Sequence, residues 1–241
     1  MDPLPVESFV VDVDVLDEQG CAEVSGRLEE LRAYWLPRGV GCSTFGLATY
    51  LDIVASESPE ETYFGRLAPH NQLIRQHFGD LLGRVAEVLA ELLETPTRYD
   101  ERVALPGFHV FEGEGIAVSP RPSQHFDLQH RALRWPFPIA AVEQAVSFTL
   151  PLALPRRGGA LDVWDITEAD MLRLERLGQR FETIDRTRPA RRHEYQVGRM
   201  AVQLTPVLHR IAAIPERHPG DRRITLQGHG IRDAEGWVLY W

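Results

Sequence analysis

The chain has 241 residues, a hydrophobic content of 44%, a charged content of 25% and a formal net charge of −9. This length and composition predict a globular protein with one large buried core, which we assign to a single domain over residues 1–241. The acidic balance argues against a nucleic-acid partner, and the sequence has no run of 18 apolar residues, so we expect no membrane-spanning helix.

Cysteine and lysine usage narrow the chemistry further. Cys21 and Cys42 are the only cysteines, and they lack the C-x-x-C spacing of thiolate metal sites. All 26 basic residues are arginine, which excludes lysine Schiff-base and P-loop chemistry. The N-terminus lacks the basic and apolar segments of a secretory signal. We therefore expect a cytoplasmic protein.

The first hundred residues are predicted to form a mainly helical support. Valines alternate with aspartates over residues 11–15, which predicts a strand with one solvated face. A helix is predicted over residues 20–36, and residues 37–59, rich in Gly, Ser and Thr, are predicted to be irregular. Apolar residues at helical spacing predict a long amphipathic helix from about residue 69 to residue 94.

Residues 101–241 have a different pattern, in which short apolar runs are separated by Gly- and Pro-rich turns. Such spacing is typical of a β-sandwich or barrel. The fold class is therefore predicted to be α+β, a cupin-like jelly roll with the N-terminal helices packed on its sheet. Strands are predicted at residues 105–111, 123–129, 144–152, 160–164, 195–205, 207–214, 223–229 and 237–241. A helix is predicted at residues 167–177, with Thr167 and Asp170 in the positions of a capping box.

Candidate metal ligands lie in the tetrapeptide Gln124-His125-Phe126-Asp127. In a strand, residues two apart share a face, so His125 and Asp127 are predicted to point together into the barrel. An imidazole beside a carboxylate supplies two of the three ligands of a facial metal site. By itself the pattern is weak, because a hydrogen-bonded pair on a strand is the ordinary structural interpretation.

Two downstream segments support a site. His209 lies in a strand-like context and is positioned to supply a third ligand. Arg223 and Thr225 follow fourteen residues later and share a strand face. An arginine fork and a hydroxyl are suited to bind a carboxylate. The neighbouring Arg222 is an alternative for the same role.

These motifs, in this order, resemble the iron(II)- and 2-oxoglutarate-dependent dioxygenases. The resemblance covers residues 105–240 and includes Gly-Gly-Ala-Leu-Asp-Val at residues 158–163. It implies a double-stranded β-helix in which Fe(II) is held by His125, Asp127 and His209. It also implies that 2-oxoglutarate is bound by Arg223 and Thr225, and that O2 is consumed while succinate and CO2 are released. Residues 106–111 and 223–229 resemble the branch that acts on small metabolites such as free amino acids.

The resemblance also bears on the reaction and the substrate. Halogenases of the superfamily replace the ligand carboxylate with Gly or Ala, so the presence of Asp127 favours hydroxylation. Arg222 remains an alternative to Arg223 as the residue that binds 2-oxoglutarate, because the spacing from His209 to Arg223 is a few residues longer than the commonest family spacing. Substrate contacts are predicted, from shared strand faces and position, at His109, Gln129, Gln227, His229 and Trp237.

Three other functions remain in competition. An oxygenase of a peptide or protein side chain would use an open groove, which the arginine-rich segment 186–192 is placed to serve. A non-catalytic cupin-like binding domain would keep the fold without turnover, but the intact motifs speak against it. A nucleic-acid demethylase is disfavoured by the acidic charge. We therefore expect a small-molecule substrate. A homodimer is kept as a candidate assembly.

Overall fold

The computed structural model describes residues 9–54, 56–116, 124–178, 180 and 183–241. Its strands, in chain order, are β1 (Val10–Asp14), β2 (Leu36–Gly39), β3 (Cys42–Phe45), β4 (Thr97–Tyr99), β5 (Gly107–Glu112), β6 (Ala141–Ala153), β7 (Leu161–Thr167), β8 (Arg191–His193), β9 (Arg199–Gln203), β10 (Val207–Ile211), β11 (Arg222–Arg232) and β12 (Trp237–Tyr240). Its helices are α1 (Glu18–Glu30), α2 (Thr49–Asp52), α3 (Pro59–Thr62), α4 (Leu67–Leu92), α5 (Glu168–Arg176) and α6 (Ile184–Thr187).

The described strands form two sheets. The larger sheet has the order β1-β9-β6-β11-β5-β3-β2, with β12 paired to β11 and β4 paired to β12. The smaller sheet has the order β10-β7-β8. All pairs are antiparallel except β12 with β4. The α+β class is therefore confirmed at the level of helices packed on antiparallel sheets.

Helices α1 and α4 cover one face of the larger sheet, as expected from their apolar spacing. Their buried residues pack with the apolar residues of β5, β6 and β11, including Phe108, Leu150 and Leu226. On β11 the alternate residues Arg223, Thr225, Gln227 and His229 face away from this core. Strand alternation thus directs the polar side chains to the other face. In the described residues, no helix has the length and apolarity that crossing a membrane requires.

The segment predicted to be irregular, residues 37–59, instead contains the β2–β3 hairpin and helices α2 and α3. The predicted helix over 20–36 ends earlier, at Glu30, and is followed by a single 3-10 turn. Pro37 lies within β2, at the edge of the sheet, where its missing N–H removes no ladder hydrogen bond. Such short strands have too few residues to show an alternating pattern.

Candidate metal centre

His125, Asp127 and His209 bring one ligand atom each to within 4.8 Å of one another. The Asp127 carboxylate approaches both imidazoles, at 3.8 Å from Nε2 of His125 and 3.6 Å from Nε2 of His209. Nδ1 of His209 donates to the Val207 carbonyl at 2.9 Å. This bond fixes the tautomer in which Nε2 has a free lone pair toward Asp127.

The backbone around His125 differs from the prediction. Residues 123–129 were predicted to form a strand, but among the described residues only His125 pairs, through an isolated antiparallel bridge to His209. The chain then turns, and a 3-10 turn begins at Gln129. His125 and Asp127 therefore converge through a turn and not through strand parity. The prediction of a shared strand face is wrong, although the two side chains do meet.

The electrostatics of the cluster favour metal-binding protonation states. Burial disfavours charge on Asp127, but the surrounding histidines and a hydrogen bond from Ser147 hold its pKa below the usual range. Burial lowers the pKa of His209 as well, which keeps its imidazole neutral. A carboxylate and a neutral imidazole are the forms that coordinate a metal ion.

Arg223 and Thr225 lie on the same face of β11, as predicted. Arg223 is only 2% exposed, and its guanidinium lies 5.8 Å from the Phe111 ring and 5.6 Å from the Tyr195 ring. Thr225 is fully buried, and its hydroxyl has no hydrogen-bond partner among the described residues. A buried hydroxyl without a partner calls for an explanation such as a bound ligand, but Thr225, unlike Arg223, is not among the residues that line the cavity around the candidate ligands.

Arg222 points the other way. Its Nη2 donates to the Glu29 carboxylate of α1 at 2.7 Å, and its Nε lies 3.3 Å from the Glu112 carboxylate. The guanidinium is therefore held outside the cavity by two acidic groups. Of the two adjacent arginines, Arg223 is the one that faces the candidate metal ligands.

A single cavity of about 830 Å³ is lined by His125, Asp127, His209 and Arg223. Of the predicted substrate residues, His109, Gln129, Gln227 and His229 also line it. Trp237 does not. It belongs to the core beneath α1 and α4, because Trp237 and Leu239 share the helix-facing side of β12. Burial lowers the pKa of His229 to about 4, so this cavity residue is neutral at neutral pH.

The sequence did not indicate three further cavity residues. Tyr50 comes from α2, Arg38 from β2, and Ser147 from β6, where its side chain bonds to Asp127. Tyr50 and Arg38 lie in the segment predicted to be irregular, and no motif marks them. Ser147 is opposite His229 in the sheet register, which only the structure reveals.

No family model matches the chain, and no curated protein matches it. Solved structures do. An N-substituted L-amino acid dioxygenase from Burkholderia ambifaria, in complex with alpha-ketoglutarate, is 13% identical, with a TM-score of 0.54 over 97% of this chain and 86% of that one. HygX from Streptomyces hygroscopicus, with nickel and 2-oxoglutarate bound, is 14% identical, with a TM-score of 0.51 over 93% and 84%.

A third similar structure is an oxidoreductase of the 2OG-Fe(II) oxygenase family from Burkholderia pseudomallei. It is 13% identical and has a TM-score of 0.52 over 96% of this chain and 87% of that chain. Across these three proteins the similarity extends over most of both chains. The fold of this chain is therefore similar to that of 2-oxoglutarate-dependent oxygenases, in agreement with the family resemblance of the sequence.

Proposed function

We propose that this protein is an iron(II)- and 2-oxoglutarate-dependent oxygenase that hydroxylates an unactivated C–H bond of a small polar metabolite. The observation that carries the proposal is the convergence of two imidazoles and one carboxylate in the same cavity as a buried arginine. Amino acids and biosynthetic intermediates are the candidate substrates. We also propose that the two sheets form a double-stranded β-helix, because residues of both sheets line this cavity.

The donor set fits Fe(II). Two histidine nitrogens and one carboxylate oxygen on one side of an ion leave the remaining coordination positions open, which is the arrangement of non-haem iron oxygenases. The three ligand atoms are already close together, and His209 has its tautomer fixed by the Val207 carbonyl. His125, Asp127 and His209 would hold the iron.

The surroundings of Arg223 fit 2-oxoglutarate. The guanidinium would bind the distal carboxylate of the cosubstrate through paired hydrogen bonds, and the Thr225 hydroxyl would add a third. Phe111 and Tyr195 flank the guanidinium and would exclude water from this end of the cavity. Exclusion of water strengthens each of these polar contacts.

When bound, iron and 2-oxoglutarate supply the oxidation, in which R–H, O2 and 2-oxoglutarate give R–OH, succinate and CO2. The residues of the chain orient the reactants. Ser147 fixes the Asp127 carboxylate, and the His125–His209 backbone bridge fixes the separation of the two imidazoles. Because Asp127 occupies the position that halogenases leave open, its presence supports hydroxylation over halogenation.

The remaining expectations are proposals of the same kind. We propose that residues 1–241 act as one oxygenase domain, in the cytoplasm, with a small-molecule substrate and without a nucleic-acid or membrane partner. A homodimer fits the superfamily resemblance as well as a monomer does. His109, Gln129, Gln227 and His229 are the proposed substrate contacts, since all four line the cavity.

The cofactor assignment is tested by adding iron(II) and 2-oxoglutarate without oxygen and recording the visible charge-transfer band. We expect the band in the wild type and in His218→Ala, a control in which a histidine outside the cavity is removed. We expect its loss in Asp127→Ala and His209→Ala. Absence of the band in the wild type at saturating iron(II) and 2-oxoglutarate would contradict the proposal. Succinate release against free metabolites and peptides then separates the two substrate classes.

A further inference from the structure

Tyr50, His109 and Gln227 form a hydrogen-bonded chain along the cavity wall. The Tyr50 hydroxyl bonds to Nε2 of His109, and Nδ1 of His109 lies 2.6 Å from Oε1 of Gln227. All three residues line the cavity that contains the candidate metal ligands. They come from α2, β5 and β11, so the chain joins helix α2 to two neighbouring strands of the larger sheet.

The imidazole at the centre of this chain is held in place by aromatic contacts. Trp241 packs edge-on against the His109 ring with centroids 5.0 Å apart, and Phe111 lies 5.6 Å away. His109 is itself only 6% exposed. This packing holds the His109 ring between its two hydrogen-bond partners.

The chain has a direction, because a neutral imidazole has one N–H and one lone pair. If the Gln227 oxygen accepts from Nδ1, then Tyr50 donates to Nε2, which leaves the amide N–H groups and the Tyr50 oxygen for a ligand. If instead the Gln227 amide nitrogen donates to Nδ1, then Nε2 donates to the Tyr50 oxygen. The Tyr50 O–H and the Gln227 oxygen are then available to a ligand. In both directions one end donates and the other end accepts.

Two arginines that line the same cavity are paired with acidic residues. Arg38 forms a two-pronged ion pair with Asp52 at 2.9 and 2.7 Å. Arg131 bonds to Glu168 at 2.7 Å and to Glu143 at 3.3 Å. These two arginines therefore supply hydrogen bonds without adding a net positive charge that would favour an anion, whereas Arg223 lies at the proposed 2-oxoglutarate end of the cavity.

We infer that the Tyr50–His109–Gln227 chain is a substrate subsite that binds hydroxyl groups of an uncharged substrate. A hydroxyl both donates and accepts, so two hydroxyls match the two ends in either direction of the chain. A carboxylate only accepts and an ammonium only donates, so each matches one end alone. A zwitterion carries both groups, but the paired arginines offer its two charges no counter-charge on this wall. The inference rests on the proposed oxygenase function and narrows its substrate to an uncharged, hydroxyl-bearing molecule.

The chain itself is tested without any substrate, by 15N NMR of protein labelled in histidine. We expect one protonated and one unprotonated ring nitrogen for His109, each shifted by a strong hydrogen bond. In Tyr50→Phe the Nε2 signal should move and the Nδ1 signal should stay. The control Tyr34→Phe, which changes an exposed tyrosine, should move neither. Rapid exchange between both tautomers in the wild type would overturn the inference.

The substrate class is tested by adding three groups of probes to the same sample: cyclitols with methyl hexopyranosides, free amino acids, and short monocarboxylates. We expect only polyols to perturb His109, with affinity falling about tenfold in Gln227→Leu, the loss typical of one hydrogen bond. Tighter binding of an amino acid or a carboxylate than of every polyol would contradict the inference. So would the absence of a response to any polyol at high millimolar concentration.

These outcomes are distinct from failure of the oxygenase proposal. The charge-transfer band reports iron and 2-oxoglutarate, whereas the His109 signals report the hydrogen-bonded chain. A wild type that lacks the band but binds polyols at His109 would support the subsite and contradict the oxygenase proposal. A wild type that has the band but binds only amino acids would support the oxygenase proposal and contradict the subsite.

Discussion

His125 and His209 are joined through their backbones as well as through their side chains. The N–H of each donates to the carbonyl of the other, with N···O distances of 2.9 and 3.0 Å, and their ring centroids lie 4.4 Å apart. His125 precedes a turn, and His209 belongs to β10. The bridge therefore sets the separation of two candidate ligands through hydrogen bonds that do not depend on a metal ion.

Because of this bridge, we predict that the amide hydrogens of His125 and His209 exchange slowly in protein stripped of metal. Opening a paired amide requires local unfolding, which slows its exchange relative to an unstructured peptide. NMR hydrogen exchange in the presence of a chelator measures both amides. Exchange at the unstructured rate would show that the two ligands come together only when metal binds.

Arg223→Lys and Arg222→Lys form a matched pair of substitutions on adjacent residues. Lysine keeps the charge but loses the planar fork, so Arg223→Lys should weaken 2-oxoglutarate binding roughly 10- to 100-fold, as expected when a hydrogen bond to a charged group is lost. Arg222→Lys should leave binding nearly unchanged, since Arg222 faces Glu29 and Glu112. Titrating the anaerobic charge-transfer band with 2-oxoglutarate distinguishes them. The reverse ranking would make Arg222 the anchor.

Much of this architecture was predictable from the sequence, where the relevant patterns are long. Helix α4, with its repeated apolar face, was predicted within two residues at each end. The alternation of Arg223, Thr225, Gln227 and His229 along β11 was also predicted, because an eleven-residue strand shows its parity clearly. The His-x-Asp motif, together with His209, predicted three residues that the structure brings together.

The rest depends on contacts that a sequence pattern does not contain. His125 was placed on a strand, whereas one bridge to His209 is its only described strand pairing, and a turn directs Asp127. Tyr50 and Arg38 were missed because hairpins and helices of four residues are too short to display a period. Their places in the cavity come from tertiary packing of α2 against residues far along the chain.

Asp52 holds the segment that carries Tyr50, and its removal should destabilise the protein. The carboxylate is 4% exposed, pairs with Arg38 and accepts from the Ala48 N–H at 2.8 Å. Asp52→Asn leaves Arg38 partly buried without its counter-ion, which should lower the free energy of unfolding by about 2–4 kcal/mol. The control Asp80→Asn breaks the exposed pair with Arg27 and should cost about 0–1 kcal/mol. Urea denaturation measures both, and equal costs would contradict the prediction.

Asp100 should contribute stability that is lost in acid. Hydrogen bonds from Arg102, opposed by partial burial, lower the pKa of Asp100 to about 2, below the value of about 3.9 in an unfolded chain. A lowered pKa means that the stabilisation is present above about pH 4 and disappears as the pH falls toward about 2. The difference in urea midpoint between wild type and Asp100→Asn should shrink over this window. A difference that stays constant across this window would contradict the prediction.

Gly41 stands at the tip of the β2–β3 hairpin, where the backbone passes very close to the residues after β5. Its φ is +60°, and a Cβ there would lie 2.1 Å from the Glu112 carbonyl oxygen and 2.4 Å from the Gly115 nitrogen. Gly113→Ala is a matched control, because φ is +52° and a Cβ would meet nothing within 4 Å. Both variants bear the strain of a left-handed backbone, of order 1 kcal/mol.

Only Gly41→Ala adds a clash with backbone atoms, which cannot move aside as a flexible side chain can. We therefore expect its melting temperature to fall well below that of Gly113→Ala, together with loss of the Glu112 N–H bond to the Gly41 carbonyl, now 2.9 Å. Since the hairpin contains Arg38, the larger loss should be accompanied by weaker order around Tyr50 in NMR spectra. Equal melting temperatures for the two variants would show that the close approach of Gly41 to the residues after β5 does not contribute to stability.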